Sequence, residues 1–347
     1  MPGPLIVNTW PFKAATHAAY LSLTSSPLID PIVAVVAGCS KAEELQCDFT
    51  VGWGGSPDSN GETTLDALVM RGSDQNTGAV AGLRNIRDAT MVARDVMELT
   101  EHSLLAGDLA TQFAVQLGYK EESLTSEYSR GLYEEWVRNS CIPNFYTDRW
   151  GCNGTIEGEK GSTAHDRSPR IDEHNHDTIG QIALQADGRM AVGMSSNGAR
   201  HKIAGRIGDA PLPGAGGYVD DDVGACVATG DGDVMMRHLP AFLGVELMRG
   251  GLSPQEAANE AVKRISKKPK GFSGAVVCVN TDGKHAAACE GFQNFSYSVQ
   301  SEGDSEANVR VIKVQPLTPR LDIHIPQQQV MSSEGSSLSE QKGRGDL

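Results

Sequence analysis

Thr178 is the residue whose position offers the most distinctive chemistry. It stands where a polar stretch gives way to an apolar-alternating pattern, TIGQIALQ. A threonine hydroxyl inside a chain lacks a base, whereas an N-terminal threonine carries its own, an α-amine with an unperturbed pKa of about 7.7–8.0. Cleavage after Asp177 would create that amine, and the Asp177 carboxylate adjoins the bond to be cut. Taken alone, these residues fit an ordinary threonine that opens a strand better.

Two other patterns suggest ligand sites, and in each a simpler explanation is favoured. His165, Asp166, His174 and His176 include metal-ligating types, but their spacing is loose and they precede the candidate cleavage point. We interpret them as part of a solvated linker and predict neither a metal nor a cofactor. Residues 214–217 (GAGG) resemble a phosphate loop only in composition, because they follow a proline and lead to no lysine.

The elements that position Thr178 are predicted from periodicity. The first half is predicted to be mostly helical, because apolar residues recur there at helical spacing. The predicted core stripes are Leu83, Ile86, Ala93 and Met97 within 80–98, Leu109, Phe113 and Leu117 on a helix from Asp108 to Gly118, and Tyr128, Leu132 and Trp136. The apolar run at 32–39 is too short to span a membrane and is predicted to be a buried core element.

The second half carries strand signals. Apolar-alternating runs flank the turns Asp187-Gly188 and Asp282-Gly283, which predicts two β-hairpins. Between them, Ser253-Pro254-Gln255-Glu256 is a capping box that opens a helix through Ile265. A polar linker at about 153–177 therefore separates a helix-rich half from a strand-rich half. The chain after Pro326 is low in complexity and is predicted to be disordered.

Composition excludes several functional classes. The chain has 347 residues, 39 of them glycine, and a net charge of -14. That charge argues against nucleic acid as a partner, because phosphate neutralisation requires clustered lysine and arginine. No stretch is long enough to span a membrane, and no basic segment typical of a signal peptide follows Met1.

Several motifs occur together, in one order, from Leu5 to about Tyr297. They are NTWPF at 8–12, GWGGSPD at 52–58, GETTLDA at 61–67, HDTIG at 176–180, GRIGD at 205–209, PGAG at 213–216 and ATGDGD at 228–233. In this combination the chain resembles the glycosylasparaginases, a branch of the N-terminal nucleophile hydrolases. The resemblance implies self-cleavage between Asp177 and Thr178.

The same resemblance implies roles for individual residues. Thr178 would be the nucleophile, with its new amine as the base. Ser196 stands where the family usually has threonine, and its hydroxyl would hydrogen-bond the nucleophile. Arg206 would donate two hydrogen bonds to the substrate's α-carboxylate, and Asp209 would accept a hydrogen bond from the substrate's α-ammonium group.

Further residues implied by the resemblance surround the reacting amide. The Thr229 hydroxyl and the Gly230 N–H would form the oxyanion hole. Asp231 and Gly232 belong to the same segment and would contact the substrate. Trp10 would line the approach on the sugar side, with core filling as the equally weighted alternative.

The seven cysteines depart from the family pattern. Cys141 and Cys152 stand at the positions of a family disulfide. Cys278 and Cys289 occupy family positions whose usual partners are absent, and Cys39 and Cys47 do not reproduce the usual close pair. Cys226 is interpreted as a small buried apolar residue.

The fold implied is a four-layer αββα sandwich, an α/β (α+β) architecture. Residues 1–177 would form an α chain, 178–326 a β chain of the same domain, and 327–347 a disordered tail, with two cleaved protomers forming an (αβ)2 heterotetramer. The substrate would be asparagine whose side-chain amide carries N-acetylglucosamine. The alternatives are L-asparaginase or β-aspartyl (isoaspartyl) dipeptidase activity on the same fold, and a processed but inactive binding protein. The resemblance implies a lysosomal location, whereas a chain that starts at Met1 without a leader would be cytoplasmic.

Overall fold

The computed structural model describes residues 3–146, 178–268 and 271–318, which form twelve strands and eight α-helices. The strands are β1 (Leu5–Thr9), β2 (Leu65–Arg71), β3 (Thr77–Leu83), β4 (Leu104–Ala106), β5 (Ile179–Leu184), β6 (Met190–Ser196), β7 (Gly217–Asp220), β8 (Gly224–Gly230), β9 (Gly274–Asn280), β10 (His285–Glu290), β11 (Ser296–Ser301) and β12 (Arg310–Lys313). The helices are α1 (Lys13–Leu23), α2 (Pro31–Leu45), α3 (Ala89–Leu99), α4 (Gly107–Gln116), α5 (Glu127–Arg138), α6 (Gly232–His238), α7 (Pro240–Arg249) and α8 (Pro254–Ser266).

The strands form two sheets. The larger has the order β12-β11-β1-β5-β6-β2-β3-β4, and the smaller has the order β10-β9-β8-β7. Pairing is antiparallel throughout, except between β3 and β4. In the larger sheet β1 lies between β5 and β11, so a strand from the start of the chain is flanked by strands from its second half. The two halves therefore share one sheet.

Successive side chains along a strand point to opposite faces of its sheet. Most strand residues are buried, so both faces of each sheet are covered. Between the sheets lies a core to which Val7, Ile182 and Val192 contribute from the larger sheet and Val227 and Val277 from the smaller. Helices α1 and α2 cover the outer face of the larger sheet, and α7 and α8 cover that of the smaller. The protein is thus a mixed α/β fold in which two stacked sheets carry helices outside.

Several predicted elements are confirmed. The hairpin turns at 187–188 and 282–283 join β5 to β6 and β9 to β10. Helix α8 begins with the predicted capping box, in which Ser253 Oγ accepts from the Glu256 N–H. The apolar run at 32–39 lies in α2, whose N-cap Asp30 accepts from the Ile32 N–H. Within the described ranges, no helix combines the length and apolarity needed to cross a bilayer.

The core stripe predicted on α4 is only partly right, because Phe113 packs against the core whereas Leu109 and Leu117 do not. Leu109 is 74% exposed and Leu117 is 41% exposed, whereas Ala110, Thr111 and Ala114 are buried. The helix packs against β3, and Ala110 and Ala114 belong to the same core cluster as Val80 and Leu83. The α5 stripe is only partly right, since Trp136 is buried and Tyr128 is exposed.

The first half also contains more strand than its periodicity predicts. Leu83 ends β3, and Ala93 and Met97 lie on α3, so the segment 80–98 is a strand followed by a helix. All four residues predicted as its core stripe are buried. A buried strand and a buried helix face both produce clustered apolar residues, and in a short segment their periods are not distinguished.

The cysteine pattern requires a correction. Cys226 on β8 and Cys278 on β9 form a disulfide, so Cys226 is not a free apolar residue and Cys278 does have a partner. The two residues lie directly opposite each other in the strand register. Cys141 is disulfide-bonded, and Cys152, its predicted partner, lies outside the described residues. Free thiols are found at Cys39, Cys47 and Cys289.

Candidate active site

Thr178 lies directly before β5 and is fully buried. Strand β5 is hydrogen-bonded to β1 on one side and β6 on the other, so its backbone is held firmly. Among the described residues, none hydrogen-bonds to Thr178 Oγ1. A buried polar group without a partner costs about 1–3 kcal/mol, so it points to a functional constraint rather than to a stabilising role. Asp177 lies outside the described residues.

The backbone around Thr178 is held by side chains of two other strands. The Thr178 carbonyl oxygen accepts from Thr229 Oγ1 at 3.0 Å and from Thr9 Oγ1 at 3.4 Å. Thr9 Oγ1 in turn accepts from the Gly180 N–H at 2.8 Å. Trp10 Nε1 donates to Thr229 Oγ1 at 3.1 Å. Strands β1, β5 and β8 thus meet at Thr178, and Thr9 takes part although the sequence analysis assigned it no role.

Trp10 is packed in the core. It is buried, and its ring meets Phe292 and Phe295 edge-on, with centroids 5.3 and 5.1 Å away. Its indole N–H is directed to the hydroxyl of Thr229. Trp10 therefore fills the core and holds the Thr229 hydroxyl through a hydrogen bond. Contact between Trp10 and a sugar stays a prediction.

Ser196 ends β6, the strand beside the candidate nucleophile. Ile179 pairs with Ser195, so Thr178 and Ser196 are neighbours where the ladder begins. Ser196 Oγ accepts from the Gly198 N–H at 2.9 Å, and no hydrogen bond joins it to Thr178 Oγ1 in the described structure. The expected hydrogen bond to the nucleophile is therefore not formed among the described residues, and the serine hydroxyl instead accepts within the turn after β6.

Arg206 and Asp209 are brought together around Gly232. A Cβ on Gly232 would lie 2.8 Å from Asp209 Oδ1 and 3.0 Å from Arg206 Nη2. Asp209 is fully buried. The Arg206 guanidinium forks onto Asp233, with Nε and Nη2 at 3.2 and 3.0 Å from Oδ2. Asp233 ends the ATGDGD motif, but no role was predicted for it.

The segment at 230–232 positions this cluster. Gly230 has φ of +135°, and a Cβ there would lie 2.5 Å from the Ser273 carbonyl oxygen, so only glycine fits. Asp231 caps α6, since its Oδ1 accepts from the Val234 N–H at 3.2 Å. Burial raises the pKa of Asp231. Asp231 thus holds the start of α6, and with it Gly232, against the pair Arg206 and Asp209.

A cavity of about 440 Å³ opens beside Arg206. Arg84 lies on its wall and donates to Glu62 Oε1 at 2.7 Å and to Asp108 Oδ1 at 2.8 Å. The volume falls in the range of about 300–1,000 Å³ typical of small-molecule sites. The wall mixes charged side chains, such as Glu62 and Arg84, with the apolar Ala81 and Ile207.

Glu43 is a buried carboxyl group that the sequence analysis missed. Its Oε1 accepts from the Thr90 N–H at 3.1 Å, from Thr90 Oγ1 at 2.6 Å and from Ser195 Oγ at 2.7 Å. Burial raises the pKa of Glu43 to about 7. Because Ser195 precedes Ser196 on β6, this carboxyl ties α2 to the strand beside Thr178. A glutamate near the end of an apolar helix gives no sequence signal that it faces inwards.

Of the two alternative ligand motifs, only the glycine-rich one lies among the described residues. His165, His174 and His176 lie outside the described residues. Within the described part of the chain, no three histidine, cysteine, aspartate or glutamate side chains gather as a metal site would require. The turn at 214–217 is closed by the Gly214 N–H on the Gly217 carbonyl and leads into strand β7, whereas a phosphate loop leads into a helix.

The chain is similar both to a family profile and to individual known proteins. The sequence profile of the Asparaginase family matches residues 2–309. The N(4)-(beta-N-acetylglucosaminyl)-L-asparaginase of Rattus norvegicus is 45% identical over 317 residues, which cover 88% of this chain and 90% of the rat protein. The protein of the same name from Mus musculus is 45% identical over 314 residues, again 88% of this chain and 90% of the relative.

Proposed function

The chain belongs to the asparaginase family, and we infer that it hydrolyses the amide bond between an asparagine side chain and N-acetylglucosamine. The observation that carries this inference is the 45% identity, over about nine-tenths of both chains, to rat and mouse proteins named for that activity. The protein is accordingly an amidohydrolase. Its substrate is a small glycosyl-asparagine, and its products are aspartate and a glycosylamine.

The chain would prepare its own nucleophile. In the proposed reaction, Thr178 Oγ1 attacks the Asp177 carbonyl carbon, and the C–N bond breaks as the ester forms, which frees the Thr178 amine. Water then hydrolyses the ester and releases the Asp177 carboxylate and the Thr178 hydroxyl. In turnover that amine takes the proton from the hydroxyl as Oγ1 attacks the substrate's side-chain carbonyl. The burial of Thr178 and its unengaged hydroxyl support this role.

Thr229 and Gly230 would stabilise the oxyanion of each step. Thr229 Oγ1 already lies 3.0 Å from the Thr178 carbonyl oxygen, which supports its place within reach of the reacting atoms. Trp10 fixes the orientation of that hydroxyl. Donors held in advance stabilise developing charge without reorganising, which is why such a site accelerates the reaction.

Recognition would rest on Arg206 and Asp209. The free α-carboxylate of the substrate would take a bidentate contact from Arg206, and its α-ammonium group would be bound by Asp209. Their proximity across Gly232 supports a joint role, since the two substrate groups are attached to a single carbon. Asp233 would hold the guanidinium plane from the other side.

The larger organisation follows from the same family. The two helix-covered sheets support a four-layer αββα sandwich of the N-terminal nucleophile type. Residues 1–177 and 178–326 would be the α and β chains of one domain, and two such pairs would form an (αβ)2 heterotetramer. A lysosomal location is proposed, in keeping with glycoprotein breakdown, and the disulfide between Cys226 and Cys278 suits an oxidising compartment.

A denaturing gel with N-terminal sequencing tests the processing step. Purified protein should give chains of 177 and 170 residues, the second beginning at Thr178, without added protease. Thr178→Ala should stay uncut and inactive, and Thr178→Ser should cut and turn over more slowly, because serine lacks the methyl group that restrains χ1. An active protein that remains one full-length chain would refute the mechanism.

Substrate choice is tested separately. Release of aspartate from glycosyl-asparagine is compared with its release from β-aspartyl dipeptides and from free asparagine. Preference for the glycosylated substrate is expected. Preference for a β-aspartyl dipeptide or for free asparagine would show that the protein is a β-aspartyl dipeptidase or an L-asparaginase instead. A fully cleaved protein that turns over none of these substrates would be a binding protein.

A further inference from the structure

Trp10 has an unusual backbone conformation. Its φ is +64°, in the left-handed region that a bulky side chain rarely adopts. Such a conformation persists only where its surroundings hold it, and such conformations cluster at functional sites. Trp10 directly follows β1 and is buried, and its indole N–H donates to Thr229 Oγ1 at 3.1 Å. The backbone of Trp10 therefore determines where that N–H points.

Ser298 of β11 holds this backbone. Its Oγ donates to the Trp10 carbonyl oxygen at 3.0 Å, and Thr16 Oγ1 lies 2.7 Å from Ser298 Oγ. A hydroxyl has one proton to donate, so Thr16 is the donor to Ser298 when Ser298 donates to Trp10. The alternative acceptors are farther away, the Asn8 carbonyl oxygen at 3.5 Å from Ser298 Oγ and the Phe12 carbonyl oxygen at 3.2 Å from Thr16 Oγ1. Ser298 and Thr16 are both fully buried, so these bonds are shielded from bulk solvent.

The hydrogen bonds continue from Trp10 to the candidate nucleophile. Because the indole N–H donates to a lone pair of Thr229 Oγ1, the proton of that hydroxyl is directed away from the indole. It is donated to the Thr178 carbonyl oxygen, 3.0 Å away. Buried hydrogen bonds thus connect Thr16 and Ser298, through Trp10, to the proposed oxyanion donor Thr229. A shift of the Trp10 backbone would change the direction in which Thr229 donates.

We propose that Ser298 is a positioning residue for catalysis, whose hydroxyl, supported by Thr16, holds the Trp10 backbone so that the indole directs the Thr229 hydroxyl at the oxyanion. This rests on the proposed role of Thr229. Among the described residues, the side-chain hydrogen bonds of Ser298 reach Thr16, Asn8 and Trp10 but not Thr229 or Thr178, so its effect passes through Trp10. The oxyanion develops only in the transition state, so loss of Ser298 should lower kcat and leave KM nearly unchanged.

Ser298→Ala tests this, because alanine removes the hydroxyl and leaves the strand backbone in place. On fully cleaved enzyme with glycosyl-asparagine, we expect kcat to fall about three- to tenfold, as for the loss of one hydrogen bond, with KM within about twofold. Ser298→Thr keeps a hydroxyl on a side chain that suits a strand, and it should retain kcat within about twofold. Ser296→Ala is the matched control and should leave kcat unchanged. Ser296 lies on the same strand, and in the described structure its side chain makes no hydrogen bond.

A double-mutant cycle tests whether Ser298 acts through Trp10. Trp10→Phe lacks the indole N–H, so adding Ser298→Ala to it should lower kcat by less than about twofold more. Thr16→Val removes the supporting hydroxyl at nearly constant shape and should also lower kcat without changing KM, and it serves if Ser298→Ala fails to fold or cleave.

Two results would overturn the proposal. One is a kcat that neither Ser298→Ala nor Thr16→Val lowers, and the other is an equal fall in kcat with and without the Trp10 indole. Inactivity of the wild-type chain on glycosyl-asparagine would instead refute the proposed function. The same comparison would then use a β-aspartyl dipeptide, because hydrolysis of its amide also forms an oxyanion.

Discussion

Replacing Gly232 with alanine adds one methyl group at the centre of the recognition site. The new Cβ would lie 2.8 Å from Asp209 Oδ1, 3.0 Å from Arg206 Nη2 and 3.1 Å from the Asp209 backbone nitrogen. Contacts this short force the neighbours to move by several tenths of an ångström. Gly232 begins α6 and does not have positive φ, so alanine is compatible with the backbone. The expected damage is therefore to the geometry of the two side chains.

The expected loss of catalytic efficiency follows from the contacts that the added methyl group displaces. One charge-assisted hydrogen bond contributes about 1.5–3 kcal/mol, so its loss should lower kcat/KM about ten- to a hundredfold. Because the α-groups of the substrate are bound in ground state and transition state alike, most of the change should appear in KM. Steady-state kinetics on cleaved Gly232→Ala enzyme measure it.

Gly131→Ala is the matched control for this substitution. Gly131 lies within α5, and a Cβ there meets nothing within 4 Å. It should leave the kinetics unchanged and stabilise the helix by about 0.5–1 kcal/mol. If Gly232→Ala enzyme had the KM of the wild type, Arg206 and Asp209 would not bind the substrate in the arrangement described.

Three further outcomes are expected. Burial raises the pKa of Glu43 from its usual 4.5 to about 7, so the stabilising contribution of the protonated carboxyl is fully present below about pH 4.5 and is lost as the pH rises through 7. Chemical denaturation at pH 5 and pH 8 should show that the wild type loses about 2.5 kcal/mol more than Glu43→Gln, and equal losses would disprove it. Removing the disulfide with Cys226→Ala and Cys278→Ala, which are 52 residues apart, should lower the free energy of unfolding by about 4 kcal/mol, whereas an unchanged melting temperature would show that the bond does not form in solution. Arg206→Lys keeps the charge but loses the fork seen on Asp233, so kcat/KM should fall about ten- to a hundredfold in cleaved enzyme; unchanged kinetics would exclude the carboxylate contact.

Short sequence motifs correctly predicted the helix and the hairpins whose structure depends on contacts between residues close in the chain. The capping box at Ser253 and the two Asp-Gly turns specify their helix and hairpins through contacts within a few residues. On α4 the prediction was wrong at Leu109, because the face that carries Ala110 and Ala114 packs against the core and Leu109 is exposed to solvent. Period alone identifies the apolar face of a helix, but the distance to the neighbouring sheet decides which face is buried.

The candidate site was predictable only where a motif carries the information. Arg206, Asp209 and Thr229 were found through their motif blocks. Glu43 has no sequence signal, because a charged residue next to apolar ones usually faces solvent. Its burial depends on contacts with distant residues, such as Ser195, and these exist only in the folded chain.

Under the proposed mechanism, the position of β1 between β5 and β11 would make self-cleavage depend on completed folding. Thr9 and Gly180, 171 positions apart in the chain, must meet before the surroundings of Thr178 exist. A chain that misfolds in either half would therefore remain uncut and, under the proposed mechanism, inert. After the proposed cut, β1 of the first product would still pair with β5 and β11 of the second. The two products would then stay associated through backbone hydrogen bonds, and none of the strand pairings among the described residues would be lost.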